Sequence, residues 1–305
     1  MGLHISLAAE QIATFYGMPI TNSYLTTLIV MVLLIVLSVM ATRKMTMIPG
    51  NAQLIAESIV GGLYDFFSAI AGKHIKQFFP LVATLFLFIL VANWVGLLPG
   101  VGTIGFTETA EAKEVAVAEP ETVSETAPAA AKVDDHAPVA VDGEKPEEAG
   151  TSAAAEGEEA GAHGETKFVP LFRAATADLN MTLALALVSV IAMQYFGFRT
   201  LGAHYASRFV NFKDPIMFGV GILELASDIS KVVSFAFRLF GNIFAGEVLL
   251  AVLAFLIPFI VPLPFLFMEL FVGVVQALVF SMLSTAFFNV AVSHGEEEHA
   301  EAAHA

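Results

Sequence analysis

Long uninterrupted apolar runs, rather than amphipathic periods, set the pattern of this chain. Residues 25–42 (LTTLIVMVLLIVLSVMAT) carry no charge and stop at Arg43-Lys44. A run of that length is enough to cross a hydrocarbon core. Residues 78–98 (FFPLVATLFLFILVANWVGLL) form a second such run, and 179–198 a third, followed by Arg199, Arg208 and Lys213. Two further runs, 232–257 and 259–293, contain ionisable residues. The stretch 259–293 holds a single acid. As one helix it would be roughly 52 Å long against a core of about 30 Å. Pro258, Pro262 and Pro264 mark the turn between the last two runs. The pattern predicts an all-α integral membrane protein of five spans, the last two long and strongly tilted as a hairpin.

Between the first two spans the period changes. Ile55, Ile59, Leu63, Phe66 and Ile70 recur at spacings of four and three, with Glu57, Asp65 and Gly61-Gly62 between them. This predicts an amphipathic helix. A helix lying at the membrane interface and one packed on the other spans both fit.

The basic residues orient the spans. Arg43, Lys44, Lys73 and Lys76 lie between spans one and two, and Arg199, Arg208 and Lys213 between spans three and four. The positive-inside rule places both connections in the cytoplasm. The N-terminal segment 1–24 and the connection 99–178 are then external, and the C-terminus is cytoplasmic. The first span is not a signal peptide, because no basic stretch precedes it and no small-residue cleavage site follows.

Composition agrees and adds one correction to the charge. The chain is 57% hydrophobic and 14% charged, where a soluble domain carries about 25% charged residues. An ordinary water-soluble enzyme is excluded. The formal charge of -15 belongs to two appendages. Residues 107–166 hold 16 acids and 3 lysines and lack Phe, Trp and Tyr. Such a segment cannot bury enough apolar surface to order itself, and it is expected to be a disordered external insertion. The tail 294–305 (HGEEEHAEAAHA) has four acids and no Lys or Arg, and is expected to fray. The remainder is nearly neutral. Five regions follow: 1–24, 25–98, 99–178 with the insertion, 179–293, and 294–305. No cysteine is present, so disulfides and thiolate metal sites are excluded.

Three short motifs fail on context. Gly100-Val-Gly-Thr-Ile-Gly105 matches GxGxxG but follows a span and enters the acidic insertion, not a βαβ unit. Met1-Gly2 with Ser6 fits a myristoylation pattern that five spans make redundant. Asn180-Met-Thr182 is a glycosylation sequon pressed against a span. No GxxxxGK[ST] occurs, so nothing visible binds nucleotide phosphates. No cofactor, metal or nucleic-acid site is expected.

Ionisable groups inside spans carry the chemistry, because each costs about 2.5 to 3.5 kcal/mol at a helix centre on insertion scales. Arg238, Glu247 and Glu269 lie in the last two spans, and Glu224, Asp228 and Lys231 on the helix leading in. At about 100° per residue, Glu224, Ser227, Lys231, Ser234, Arg238 and Asn242 make one polar stripe, and Glu247 lies about 180° from Arg238. Glu269 and Gln276, seven apart, share a face of the last helix. Glu247 and Glu269 lie eleven residues either side of Pro258, so a hairpin can bring them together. This predicts a proton path in two parts: Glu247 and Glu269 in one cavity, Glu224 and Asp228 in another, and Arg238, always charged, between them. A structural reading stands beside it, with Arg238 paired to Glu224 or Asp228, or snorkelling to the interface.

At these residues a family becomes visible. Phe237-Arg-Leu-Phe-Gly-Asn-Ile-Phe-Ala-Gly-Glu247 resembles the signature of subunit a of the F-type ATP synthase. So do Glu224 before Ser230-Lys231, Ala177-Asp-Leu-Asn180, Asn93, and Gln276 in its Val-Gln-Ala-Leu setting. The resemblance implies that Arg238 faces the carboxylates of a rotating c ring, with Asn242 and Gln276 nearby. It implies that Glu247 and Glu269 stand in the half-channel open to the outside, and Glu224 toward the cytoplasmic exit. Asn93, Asp178, Asn180 and Lys231 become secondary residues. The implied partners are the c ring, b-type peripheral stalk subunits, the remaining ATP synthase subunits and the bilayer of a bacterial inner membrane. Two departures stand out. Many relatives carry one His and one acid where this chain has Glu247 and Glu269, and two buried carboxyls close together cannot both ionise cheaply. Gly96 also stands where many bacterial relatives have an acid. The rival classes are a self-contained secondary transporter, which an internal repeat would mark, and a non-transporting assembly subunit whose charges join helices.

Overall fold

The computed structural model describes residues 9–15, 18–43, 50–108, 167–202, 205, 215–257 and 260–304, the side chains of 13–15, 18, 52, 99, 107–108, 167–168, 215, 217 and 294–304 excepted. The expected insertion at 107–166 therefore lies almost wholly outside the described residues, as do Lys44, Arg208, Lys213 and Pro258.

Among the described residues there are six α-helices: α1 Asn22–Thr42, α2 Asn51–Ala71, α3 Ile75–Gly96, α4 Leu179–Leu201, α5 Pro215–Leu256 and α6 Pro262–His304. Five segments among the described residues are long and apolar enough to cross a membrane, with α2 and α3 falling in one of them. The five spans expected from the runs are all present. The last two helices are longer than their runs, at 42 and 43 residues. The acidic tail does not leave the helix at residue 294 as expected: the backbone of α6 continues to His304. The reason is local, because the Glu and Ala of that tail are strong helix formers and no proline interrupts them.

Small β elements accompany the helices. Strands β1 Gln11–Phe15 and β2 Met18–Thr21 form an antiparallel hairpin that runs into α1. Strands β3 Pro99–Gly102, β4 Gly105–Glu108 and β5 Lys167–Pro170 lie in the connection between α3 and α4, and β4 pairs with β5. A 3₁₀ turn at Ala175–Ala177 leads from this connection into α4.

The helix ends follow capping chemistry. Thr21 caps α1 by accepting from the Tyr24 N–H, and Asp178 caps α4 by accepting from the Asn180 N–H at 2.9 Å. Gly72 and Gly202 end α2 and α4 with φ of 54° and 62°, a region glycine enters without strain. Pro262 opens α6, where its missing N–H costs nothing.

Aromatic packing joins the long helices. Phe78 of α3, Phe196 of α4 and Phe288 of α6 form a triangle with ring centroids 5.0 to 5.7 Å apart. Phe235 of α5 packs on Phe280 and Phe287 of α6 at 4.9 and 5.5 Å. Buried hydroxyls add polar contacts. Ser189 of α4 and Ser284 of α6 are hydrogen-bonded at 2.7 Å. Between apolar tails such packing and hydrogen bonding, not the hydrophobic effect, hold helices together. The same logic makes the exposed apolar faces of α1 and α5 inexpensive in lipid. Val32, Val36 and Met40 on α1, and Leu223, Ile229 and Phe237 on α5, are all exposed.

Both readings of the amphipathic helix find support in α2. Phe67 and Ala71 are buried in the core, with Leu63 and Tyr64 against it. Leu54, Ile55, Ile59 and Phe66 remain exposed.

Candidate functional site

The site is organised by one seam of α5. Phe235, Leu239 and Ile243 are buried there, and Gly246 continues the line. Arg238 and Glu247 stand on α5 about a quarter turn to either side of this seam. The opposition inferred from the periodicity is thus present on a helix whose buried side lies between the two charges.

The hairpin sets Glu269 against Gly246, the residue before Glu247. Glu269 is 5% exposed and rests on Gly246. A Cβ at that position would overlap the Glu269 carboxyl. The glycine before Glu247 therefore makes room for the second acid. Glu247 Oε2 and Glu269 Oε1 are both buried and accept no hydrogen bond among the described residues. A buried acceptor left unmet costs about 1 to 3 kcal/mol, and such costs concentrate at transport sites inside membranes.

A third group joins them that the sequence reading did not single out. Arg173, in the connection between β5 and α4, is buried, and its Nε lies 3.4 Å from Glu247 Oε1. Its guanidinium carbon is 6.0 Å from the centre of the Phe244 ring, within reach of a cation–π attraction. One sequence signal pointed there. The connection was expected outside the membrane, where the positive-inside rule disfavours Arg, so a basic residue beside a span needed a partner.

The neighbouring polar residues hold the frame. Asn93 of α3 donates to the Gly273 carbonyl of α6 at 3.3 Å and accepts from Thr176 at 2.6 Å. Trp94 donates to the Leu270 carbonyl at 3.3 Å. These contacts fix α6 within one turn of Glu269. Asp178 accepts from Ser23 at 2.6 Å besides capping α4, and Asn22 donates to the Pro170 carbonyl at 3.2 Å. Asp178 thereby ties the start of α1 to the connection. Asn180 contributes its backbone N–H there, while its side chain is exposed.

On the other part of α5, Arg238 is half-buried, and its Nη2 lies 3.5 Å from Ser234 Oγ. Ser227, Ser234 and Asn242 of the stripe are exposed, and Glu224 is half-buried. Asp228 points elsewhere. It is 4% exposed, and its two oxygens accept from Lys231 and from Gln194 of α4, each at 2.6 Å. Tyr205 donates to Gln194 at 2.8 Å. Lys231 Nζ also sits 5.1 Å from the Phe287 ring centre. Lys231 thus leans from the stripe toward Asp228, whose oxygens are turned to Lys231 and Gln194 and not to Arg238. Gln276, half-buried on α6, shares the face of Glu269 two turns on.

No group of three metal-ligating side chains gathers among the described residues; the side chains of the tail's histidines and glutamates lie outside the description.

Long apolar helices with two carboxyls and a guanidinium gathered between them define a multi-pass membrane protein built around ionisable groups. The family model for the ATP synthase A chain matches residues 24–289. The chain belongs to that family, subunit a of ATP synthase. It is similar to the ATP synthase subunit a of Syntrophobacter fumaroxidans, at 27% identity over 298 residues covering 96% of this chain and 93% of that protein. The subunit a of Citrifermentans bemidjiense is 30% identical over 88% of this chain and 86% of that protein. That of Gloeobacter violaceus is 30% identical over 91% and 86%. As subunit a the chain is a proton-translocating part of the ATP synthase complex and is not catalytic alone.

Proposed function

We propose that the chain conducts protons through two offset half-channels that load and unload the carboxylates of a c ring. Glu247 and Glu269 form the half-channel open to the outside, and Gln276 and Asn242 stand near the ring. Glu224 lies toward the cytoplasmic exit, with Asp228 and Lys231 braced behind it. Arg238 separates the two. The supporting observation is the placement of Arg238 and Glu247 on opposite sides of one apolar seam of α5, with the Glu269 carboxyl resting on Gly246 of that seam. Protons find no titratable group to hop through in Phe235, Leu239 and Ile243. Arg238 cannot be neutralised at physiological pH. A ring carboxyl arriving beside it is favoured as the carboxylate and gives up its proton.

In this reading the N-terminus is outside and the C-terminus cytoplasmic, in a bacterial inner membrane. The b-type stalk subunits hold the chain still while the ring turns. The test is ATP-driven acidification of inverted membrane vesicles carrying the assembled complex. Arg238→Ala is expected to abolish pumping and to open a passive proton leak. Unchanged pumping would make Arg238 structural and overturn the mechanism.

A further inference from the structure

We propose that Arg173 is a positioning residue of the Glu247–Glu269 site: the connection between α3 and α4 delivers its guanidinium to Glu247 and holds that carboxyl where protons are exchanged. The proposal rests on the reading of the two acids as a half-channel.

Four observations carry it. First, the guanidinium is buried and cannot lose its charge, so an acid beside it is required. Glu247 is that acid, at 3.4 Å. The other charged groups on the elements around α5 are placed differently. Asp178, at the start of α4, is turned to Ser23 and to the Asn180 N–H. Glu269, on α6, rests on Gly246.

Second, the pair is lopsided. The Arg173 side chain is 6% exposed and that of Glu247 is 39% exposed. A brace between helices would enclose both ends. Here the cation is enclosed while the side chain of the acid is partly exposed.

Third, the contact is loose. One Nε–Oε1 approach of 3.4 Å is longer than the 2.7 to 2.9 Å of a strong charge-assisted hydrogen bond. The second Glu247 oxygen accepts no hydrogen bond among the described residues. Such a partner orients a carboxylate without locking it away from a proton.

Fourth, Arg173 is presented rigidly. Ala174 packs so closely on Gly96 that a Cβ there would lie 2.6 Å from the alanine Cβ. Thr176 is tied to Asn93. The Leu171 N–H donates to the Ile104 carbonyl and the Gly102 N–H to the Phe172 carbonyl, each at 2.8 Å. The departure at Gly96 thereby acquires a physical role: a side chain there would push the Arg173 segment off its seat.

The test uses the intact complex in inverted vesicles, with Arg173→Gln, Arg173→Lys and Glu247→Gln. Arg173→Gln is expected to assemble, to keep ATP hydrolysis, and to lower acidification about tenfold or more. Arg173→Lys, which keeps the charge, is expected to recover most of the rate. Wild-type pumping by Arg173→Gln would overturn the proposal. So would equal impairment of the Lys and Gln variants, which would assign the effect to shape and not to charge. If Arg173→Gln does not assemble, a disulfide is sought between Arg173→Cys and Glu247→Cys. The chain has no other cysteine, so formation of a reversible cross-link on oxidation supports the contact, and its absence overturns it. Glu247→Gln separates the two levels. Normal pumping by that variant would sink the half-channel reading itself, whatever Arg173 does.

Discussion

Glu269 lays its carboxyl directly on the α-carbon of Gly246, the residue before Glu247. Glu269 reaches the residue beside Glu247, 22 positions back in sequence, because that residue of the α5–α6 contact has no side chain. The carboxyl pair is therefore a packing feature of the hairpin as much as a chemical one.

Gly246→Ala is the smallest change that tests this. The added methyl would displace the Glu269 carboxyl, and overpacking of this kind costs about 1 to 3 kcal/mol. Proton pumping by the assembled complex is expected to fall about 5- to 100-fold. Vesicle acidification against ATP hydrolysis measures it, and a wild-type ratio would show that the contact is idle.

Glu269→Gln keeps the shape over Gly246 and removes the exchangeable proton. Pumping is expected to fall about tenfold or more, while Glu108→Gln at the end of β4 leaves it within about twofold. The two variants are compared in the same vesicles, and equal rates would argue against the half-channel assignment.

Asp228 and Lys231 form a largely buried pair. Asp228→Leu leaves the ammonium without its partner, at a cost of about 3 kcal/mol or more. Adding Lys231→Met is expected to restore most of the loss, since apolar replacement of a buried pair is close to neutral. Unfolding midpoints of the detergent-solubilised complex decide; additive losses would mean that the pair is not coupled.

Asn93 is the hinge pin between α3, α6 and the 3₁₀ turn. Asn93→Leu leaves the buried Thr176 hydroxyl without its acceptor, a cost of about 1 to 3 kcal/mol. A drop of several degrees in thermal midpoint is expected, at about 2 to 4 °C per kcal/mol. Asn180→Leu, whose side chain is exposed, is the control and is expected to change little.

Much of this protein is written locally in its sequence. Apolar run length sets the five spans, because a membrane leaves a backbone of that length no alternative to a helix. Helical periodicity also places Arg238 and Glu247 on opposite sides of α5, since that angle depends only on residues per turn. The family signature from Phe237 to Glu247 is likewise readable residue by residue. Partnership is what the tertiary structure decided. Arg173 reads in sequence as one more basic residue beside a span, 74 positions before Glu247, and only the folded connection sets it 3.4 Å from that carboxyl. Asp228 has an angular position that allows several partners, and the packing of α4 against α5 turned it to Gln194. Gly246 has no side-chain signal at all until Glu269 lies on it. The physical reason is the same in each case. Direction around a helix is a local property of the backbone, whereas the group met in that direction depends on how whole helices pack.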